Sequence, residues 1–232
     1  MNSIFSNNDQ IQVVQTFSEL ITTAFQGAAN SLCWFRDLSG DFKEIVSKLT
    51  LEDNITEVSV EDLLALDLSE KGKIARDIIL KDLKLLNDFG ASPSLNLLKN
   101  YERDEEFDFI STDVYSFHVD RSPTPTDTFL CTYHGPASDI IANDQAIQKI
   151  QIPEIRRKLK ELHTGSEAEF EAFLKDNFFD LHYLPRTDAQ PVNLGSGHLW
   201  RLAVDHPEQK VLPCIHRAPI ENDGEYRLLL IC

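Results

Sequence analysis

The chain has 232 residues and a formal net charge of −16, with 38 Asp and Glu against 22 Lys and Arg. This excess of acid argues against nucleic-acid partners and anionic membrane surfaces, because both are bound through clusters of basic side chains. We find no secretory signal and no apolar run long enough to span a membrane. The four cysteines form no C-x-x-C pair, so we expect free thiols and a cytoplasmic location.

The first half of the chain is predicted to be mainly helical. Apolar residues recur at helical spacing along it, and Asn8, Asp9 and Ser59 are candidate helix caps. Gly90 follows the longest periodic segment and is a typical C-terminal stop. The pattern predicts helices over residues 10–32, 41–49, 60–66 and 69–89. We expect residues 1–106 to form a helical region.

The second half changes to strand-like sequence near residue 107. Runs rich in Phe, Tyr, Val and Thr, separated by Gly and Pro turns, predict strands over 107–120, 126–133, 181–184, 198–204, 211–216 and 226–231. Residues 137–150 are predicted as a loop or short helix, and helices are predicted over 153–162 and 166–178. The order indicates an α+β fold, in which the helical half packs on an antiparallel barrel or double-layered sheet over residues 107–232, with a helical insert at 153–178. We expect one compact unit.

A candidate metal site combines residues from two of these strands. Residues i and i+2 of a strand share a face, so His118 and Asp120 project together. His216 ends a second apolar run and is the candidate third ligand. Two imidazoles and one carboxylate suit Fe(II), and also Zn(II) or Mn(II). His206 followed by Arg217 has the same spacing as His216 followed by Arg227, but His206 lies in a polar turn.

Arg227 is the candidate binder of a carboxylate. It shares a strand face with Leu229 and Ile231, and a buried guanidinium requires an anionic partner. Its planar fork binds a carboxylate through two parallel hydrogen bonds. Tyr133 is a further candidate contact to the same co-substrate, and His134 is a candidate supporting residue beside the metal ligands.

With His118-x-Asp120, then His216, then Arg227 after ten residues, the chain resembles the Fe(II)/2-oxoglutarate-dependent oxygenases. The resemblance covers about residues 107–232. It implies a double-stranded β-helix of the jelly-roll or cupin-like kind, with Fe(II) as cofactor and 2-oxoglutarate as co-substrate held by Arg227. The segments Phe117-His-Val-Asp120, Cys131-Thr-Tyr-His-Gly-Pro136 and His216-Arg-Ala-Pro219 also resemble an uncharacterised bacterial family of unknown function, which implies no activity.

Three functions therefore compete. The first is an oxygenase that hydroxylates a small-molecule or peptide substrate. The second is a cupin-like protein that binds metal without oxidising anything. The third is a metal-free protein whose acidic helical half binds a partner. Nothing in the sequence indicates the substrate or the oligomeric state.

Overall fold

The computed structural model describes residues 8–222 and 224–232, and this part of the chain contains six α-helices. They are α1 (Phe17–Thr22), α2 (Phe42–Lys48), α3 (Val60–Ala65), α4 (Glu70–Phe89), α5 (Pro153–Glu161) and α6 (Glu167–Asp176). The predictions for α2 to α6 are confirmed, including the capping boxes that begin with Ser59 and Ser166 and the left-handed Gly90 that ends α4. No helix in the described ranges is both long and apolar enough to cross a membrane.

The strands form two sheets, so the mixed α+β class is confirmed. The first sheet has the order β1-β2-β11-β6-β13-β4-β3 and the second has the order β10-β7-β12-β5-β9-β8. In chain order the strands are β1 (Ile11–Val14), β2 (Ser31–Trp34), β3 (Ile55–Glu57), β4 (Ser94–Leu98), β5 (Phe117–His118), β6 (Asp127–His134), β7 (Asp139–Ile141), β8 (Ala146–Gln148), β9 (His182–Pro185), β10 (Val192–Asn193), β11 (Leu199–Ala203), β12 (Ile215–Arg217) and β13 (Arg227–Ile231).

The helix predicted over residues 10–32 is wrong. That segment forms β1, the short helix α1 and β2, and the two strands pair in parallel with each other. The β-branched residues Ile11, Val13 and Val14 favour a strand, and Thr16 caps α1 through its side chain. Because β1 to β4 all precede residue 107, the N-terminal half supplies strands to the first sheet as well as helices.

Two other segments differ from their predictions. Of the strand predicted over 107–120, only Phe117–His118 forms, because the Asp113 carboxylate accepts hydrogen bonds from the amides of Tyr115 and Ser116. Such local side-chain bonds replace the bonds of a sheet ladder. Residues 137–150 contain β7 and β8 with short 3₁₀ turns, where the sequence predicted a loop or helix.

Strand β6 runs through the middle of the first sheet and separates two hydrophobic layers. Its residues Phe129, Cys131 and Tyr133 face the core beneath the N-terminal helices. Leu130 faces the opposite way, into a second core that also contains Ile140 of the second sheet. The two sheets therefore face each other across this second core, and the candidate site lies between them.

Candidate metal centre

The two sequence-predicted histidines are direct cross-strand neighbours. Strand β5 pairs antiparallel with β12, and the register places His118 opposite His216 with ring centroids 4.5 Å apart. Asp120 follows β5 and turns back to the same point. Its Oδ1 lies 4.0 Å from His118 Nε2 and its Oδ2 lies 3.6 Å from His216 Nε2. The structure therefore brings together all three predicted metal ligands, with their ligand atoms within 4.8 Å of one another.

Hydrogen bonds fix both imidazoles in the form that binds a metal. His118 Nδ1 lies 2.7 Å from the Ser116 carbonyl oxygen, and His216 Nδ1 lies 3.2 Å from the Cys214 carbonyl oxygen. A carbonyl oxygen only accepts, so each Nδ1 carries the proton and donates it. The Nε2 lone pairs then face Asp120. This is the usual arrangement of metal-binding histidines, whose second nitrogen donates to a supporting acceptor.

The electrostatics of the cluster favour a neutral His118 imidazole beside an ionised carboxylate. Burial, reinforced by the neighbouring His216, lowers the pKa of His118 to about 4. Burial alone would raise the pKa of Asp120, but His216, the hydrogen bond from Thr128 Oγ1 and His118 together hold it below its usual value. Neutral imidazole and ionised carboxylate are the protonation states required of metal ligands.

Arg227 lies in the same cavity as the three ligands. The cavity has a volume of about 310 Å³ and is bounded on one side by His118, Asp120 and His216, and on the other by Arg227, Leu229 and Ile231 of β13. The prediction that these β13 residues share a face is confirmed. Arg227 follows His216 closely in sequence, with ten residues between them. It nevertheless reaches the cavity from the first sheet, whereas His216 belongs to the second.

The guanidinium of Arg227 is buried without a carboxylate partner. Only 1% of the residue is exposed, and the described residues provide no acidic group within ion-pair distance of it. Its Nη2 donates to Thr132 Oγ1 at 3.1 Å and to Ser138 Oγ at 2.9 Å, whereas Nε has no acceptor in the described part of the chain. Burial lowers the pKa of Arg227, although an arginine remains charged in a protein. The cavity thus holds a cation with no ion-pair partner among the described residues, and Tyr101 and Glu221 only partly offset the effect of its burial on the pKa.

Tyr133 and His134 do not lie at the centre, and these two predictions are wrong. Tyr133 points to the other side of β6, where its hydroxyl donates to Asp82 at 2.7 Å and its ring stacks on Phe42. Alternation along a strand places it opposite to Leu130 and Thr132. His134 ends β6 opposite Leu228, and its charged neighbours are Glu225, Lys43 and Asp41.

Several residues of the cavity were missed by the sequence analysis. Ser138 and Thr132 hold Arg227, Thr128 holds Asp120, and Tyr101 lines the cavity. Thr128 and Thr132 share the face of Leu130, so strand alternation offered a signal for them. Tyr101 and Ser138 lie in irregular segments, where no periodicity shows which way a side chain points.

A third histidine belongs to the same row across the second sheet. His182 of β9 pairs with His118 in register, with ring centroids 5.7 Å apart. Its Nδ1 lies 3.1 Å from Ser116 Oγ, which also accepts a hydrogen bond from Lys149 Nζ at 2.8 Å. Ser116 therefore contacts two histidines of the row, since its carbonyl oxygen also holds His118.

The donor set fits a divalent transition metal with open coordination positions. Two neutral imidazoles and one carboxylate on one side of the ion form the facial triad of non-haem iron sites. Bond lengths of about 2.1 Å would place neighbouring ligand atoms about 3 Å apart. The observed separations of 3.6 Å and 4.0 Å are wider, so binding requires the side chains to move inward by a fraction of an ångström.

Comparison with known proteins assigns no family. The chain matches no family model, and searches of curated proteins and of solved structures return no match.

Proposed function

We propose that the protein is an Fe(II)/2-oxoglutarate-dependent oxygenase. His118, Asp120 and His216 would hold the iron, and Arg227 would bind the distal carboxylate of 2-oxoglutarate. One atom of O₂ would enter a C–H bond of the substrate as a hydroxyl group. The other would enter the keto acid, which would leave as succinate and CO₂.

The observation that carries this proposal is the unpaired guanidinium beside the triad. Arg227 has five N–H donors, and its hydrogen bonds within the described residues employ only Nη2. A buried cation without a counterion is costly, so the cavity is suited to an anion. A keto acid would suit both Arg227 and the metal site. Its distal carboxylate would neutralise Arg227, while its other end would reach the metal.

The order of strands gives independent support for a double-stranded β-helix. Strands β4, β6, β11 and β13 are neighbours in the first sheet, and β5, β7, β10 and β12 are neighbours in the second. Along the chain these eight strands alternate between the sheets, except that β7 and β10 both belong to the second. Two four-stranded sheets connected in this way agree with a jelly roll, and α5 and α6 would form an insert between β7 and β10.

The role of the chain's own residues follows from their positions. Asp120 and the two imidazoles would leave one side of the iron open toward Arg227, where the keto acid would bind. Leu130, Leu229 and Ile231 line the space between them and would limit the access of water. Ser138 and Thr132 would hold the guanidinium in place, so that the co-substrate binds to a fixed group.

The test is to titrate 2-oxoglutarate into the Fe(II)-loaded protein without O₂ and to record its visible absorption. We expect a charge-transfer band from the chelated keto acid, and succinate after O₂ is admitted. The variant His118→Ala should give neither signal. His206→Ala is the matched control, because His206 has the competing spacing to Arg217 but does not line the cavity, and it should behave as the wild type.

Two results would contradict the proposal. Tight retention of iron with no band and no succinate would favour the cupin-like metal protein. A melting temperature that responds neither to EDTA nor to added metal would favour a metal-free interaction protein, because a ligand that binds the folded state must stabilise it.

A further inference from the structure

A groove of about 420 Å³ lies next to the metal cavity and shares part of its wall. Ile55, Tyr101 and Val114 line both spaces. The groove is open to the surface, since Ile55 is 44% exposed, whereas the metal ligands lie deeper. A molecule lying in the groove would therefore reach the cavity past Tyr101 and Val114.

The groove is acidic. Asp53, Glu102 and Asp113 line it, and no lysine, arginine or histidine does so among the described residues. Asp113 is engaged in the backbone, where it accepts hydrogen bonds from Tyr115 and Ser116. Within the described ranges the Glu102 carboxylate makes no hydrogen bond or ion pair, and the Asp53 carboxylate accepts a hydrogen bond only from the amide of Asn54. Two exposed carboxylates are therefore free to bind a ligand.

Aromatic rings at the junction provide a second feature that suits a cation. Tyr101 stands between the groove and the cavity, edge to face with Tyr115 at a centroid distance of 6.0 Å. Arg103 already lies over the Tyr115 ring, with its Cζ 3.5 Å from the ring centroid. Tyrosine faces attract guanidinium and ammonium groups. Because Arg103 already covers Tyr115, which lines neither space, Tyr101 is the ring that borders the groove.

We propose that the groove binds the positively charged end of the substrate, a guanidinium or ammonium group, while its reacting carbon enters the metal cavity. This inference rests on the proposed function. The cavity of about 310 Å³ must also hold the keto acid, so only a slender part of the substrate enters it. An arginine or lysine side chain and a free amine share this chemistry.

Binding of labelled peptides tests the proposal. The protein is loaded with Fe(II) and 2-oxoglutarate without O₂. The probes are a glycine peptide with arginine at alternate positions and the same peptide with glutamine, and their affinities are measured by fluorescence anisotropy. We expect the arginine peptide to bind at least about 10-fold more tightly, because complementary charge strengthens and steers binding. Competition by free agmatine distinguishes a small amine from a peptide as the source of the cation.

Charge-matched variants show whether the groove is responsible. Asp53→Asn with Glu102→Gln removes the two free carboxylates, and we expect the arginine peptide to bind about 5-fold more weakly. The control is Asp188→Asn with Glu208→Gln, which removes two exposed carboxylates that line neither space. It should change the affinity by less than about 2-fold.

Equal weakening in both double variants would overturn the inference, because the preference would then reflect net charge alone. Equal affinity for the two peptides would overturn it as well. The charge-transfer band is recorded in the same samples. If the band forms but the groove shows no preference, only this inference fails. If the band never forms, the proposed function fails and this inference fails with it.

Discussion

Two buried arginines lie on opposite faces of the first sheet, and their surroundings differ. Arg36, on the helical face, has a side chain 8% exposed, and its Nη1 lies 2.7 Å from both carboxylate oxygens of Asp82. Its Nε donates to the Gly197 carbonyl. Arg227, on the cavity face, donates to two hydroxyl groups and forms no ion pair within the described residues. The pKa of Arg36 is raised, because the neighbouring Cys131 and Asp82 outweigh burial, whereas burial lowers that of Arg227.

The difference separates a structural charge from one available to a ligand. The Arg36 and Asp82 pair is neutral as a unit, and Tyr133 completes it. Arg227 adds a buried positive charge that forms no ion pair with the described residues, and such a charge destabilises the fold unless an anion binds. We therefore interpret Arg36, on the helical face, as a structural residue and Arg227, on the cavity face, as a candidate ligand-binding residue.

The largest expected effect is on stability at Arg36. Replacing Arg36 with methionine leaves Asp82 buried without its cation, and we expect unfolding to become easier by about 3–5 kcal/mol. The melting temperature should fall by about 10 °C. Thermal unfolding followed by circular dichroism measures both. An unchanged melting temperature would show that Asp82 is not buried as a charge.

The same substitution at Arg227 should act on binding instead. Arg227→Met removes the partner of the keto-acid carboxylate, and we expect the affinity for 2-oxoglutarate to fall about 100-fold. The free energy of unfolding should stay the same or rise, because an uncompensated buried charge is lost. Calorimetric titration and denaturant unfolding measure the two quantities. Arg217→Met is the control, since Arg217 pairs with Asp139 outside the cavity, and its 2-oxoglutarate affinity should match that of the wild type.

Binding of 2-oxoglutarate should give Arg227 the anionic partner that Arg36 already has in Asp82. With Mn(II) bound, 2-oxoglutarate at 100 times its dissociation constant should stabilise the wild type by about 2.7 kcal/mol. The same concentration should leave Arg227→Met nearly unchanged. Differential scanning calorimetry with and without the keto acid measures the shift, and succinate in place of 2-oxoglutarate tests whether the keto group is required. Equal stabilisation of both proteins would contradict binding at Arg227.

The smallest effect is expected at Tyr133. Tyr133→Phe removes one hydrogen bond to Asp82, while both contacts from Arg36 Nη1 stay. We therefore expect the free energy of unfolding to fall by about 1 kcal/mol. The affinity for 2-oxoglutarate should not change, because the hydroxyl points away from the cavity. Denaturant unfolding and calorimetric titration are again the measurements. A weaker affinity for the keto acid would indicate that Tyr133 contacts the co-substrate after all.

Local sequence signals were sufficient for several structures that depend on near neighbours. Strand alternation predicted that His118 and Asp120 lie together, and they do, although Asp120 lies beyond the end of β5. The caps at Ser59 and Ser166 follow from bonds made within three residues. The predicted helix over residues 10–32 failed for the opposite reason. Its apolar spacing is compatible with a helix, but β1 and β2 make hydrogen bonds with strands, including β11, that lie far away in the chain.

The sequence by itself determined the residue types of the centre, the two-residue spacing of its first ligands and the shared face of Arg227, Leu229 and Ile231. Only the tertiary structure decided that His216 pairs with His118, that Arg227 has no acidic partner among the described residues, and that Tyr133 faces the helices. These facts depend on strand register and on which face of a sheet is covered. Both are set by hydrogen bonds and packing between segments up to a hundred or more positions apart, which no local pattern records.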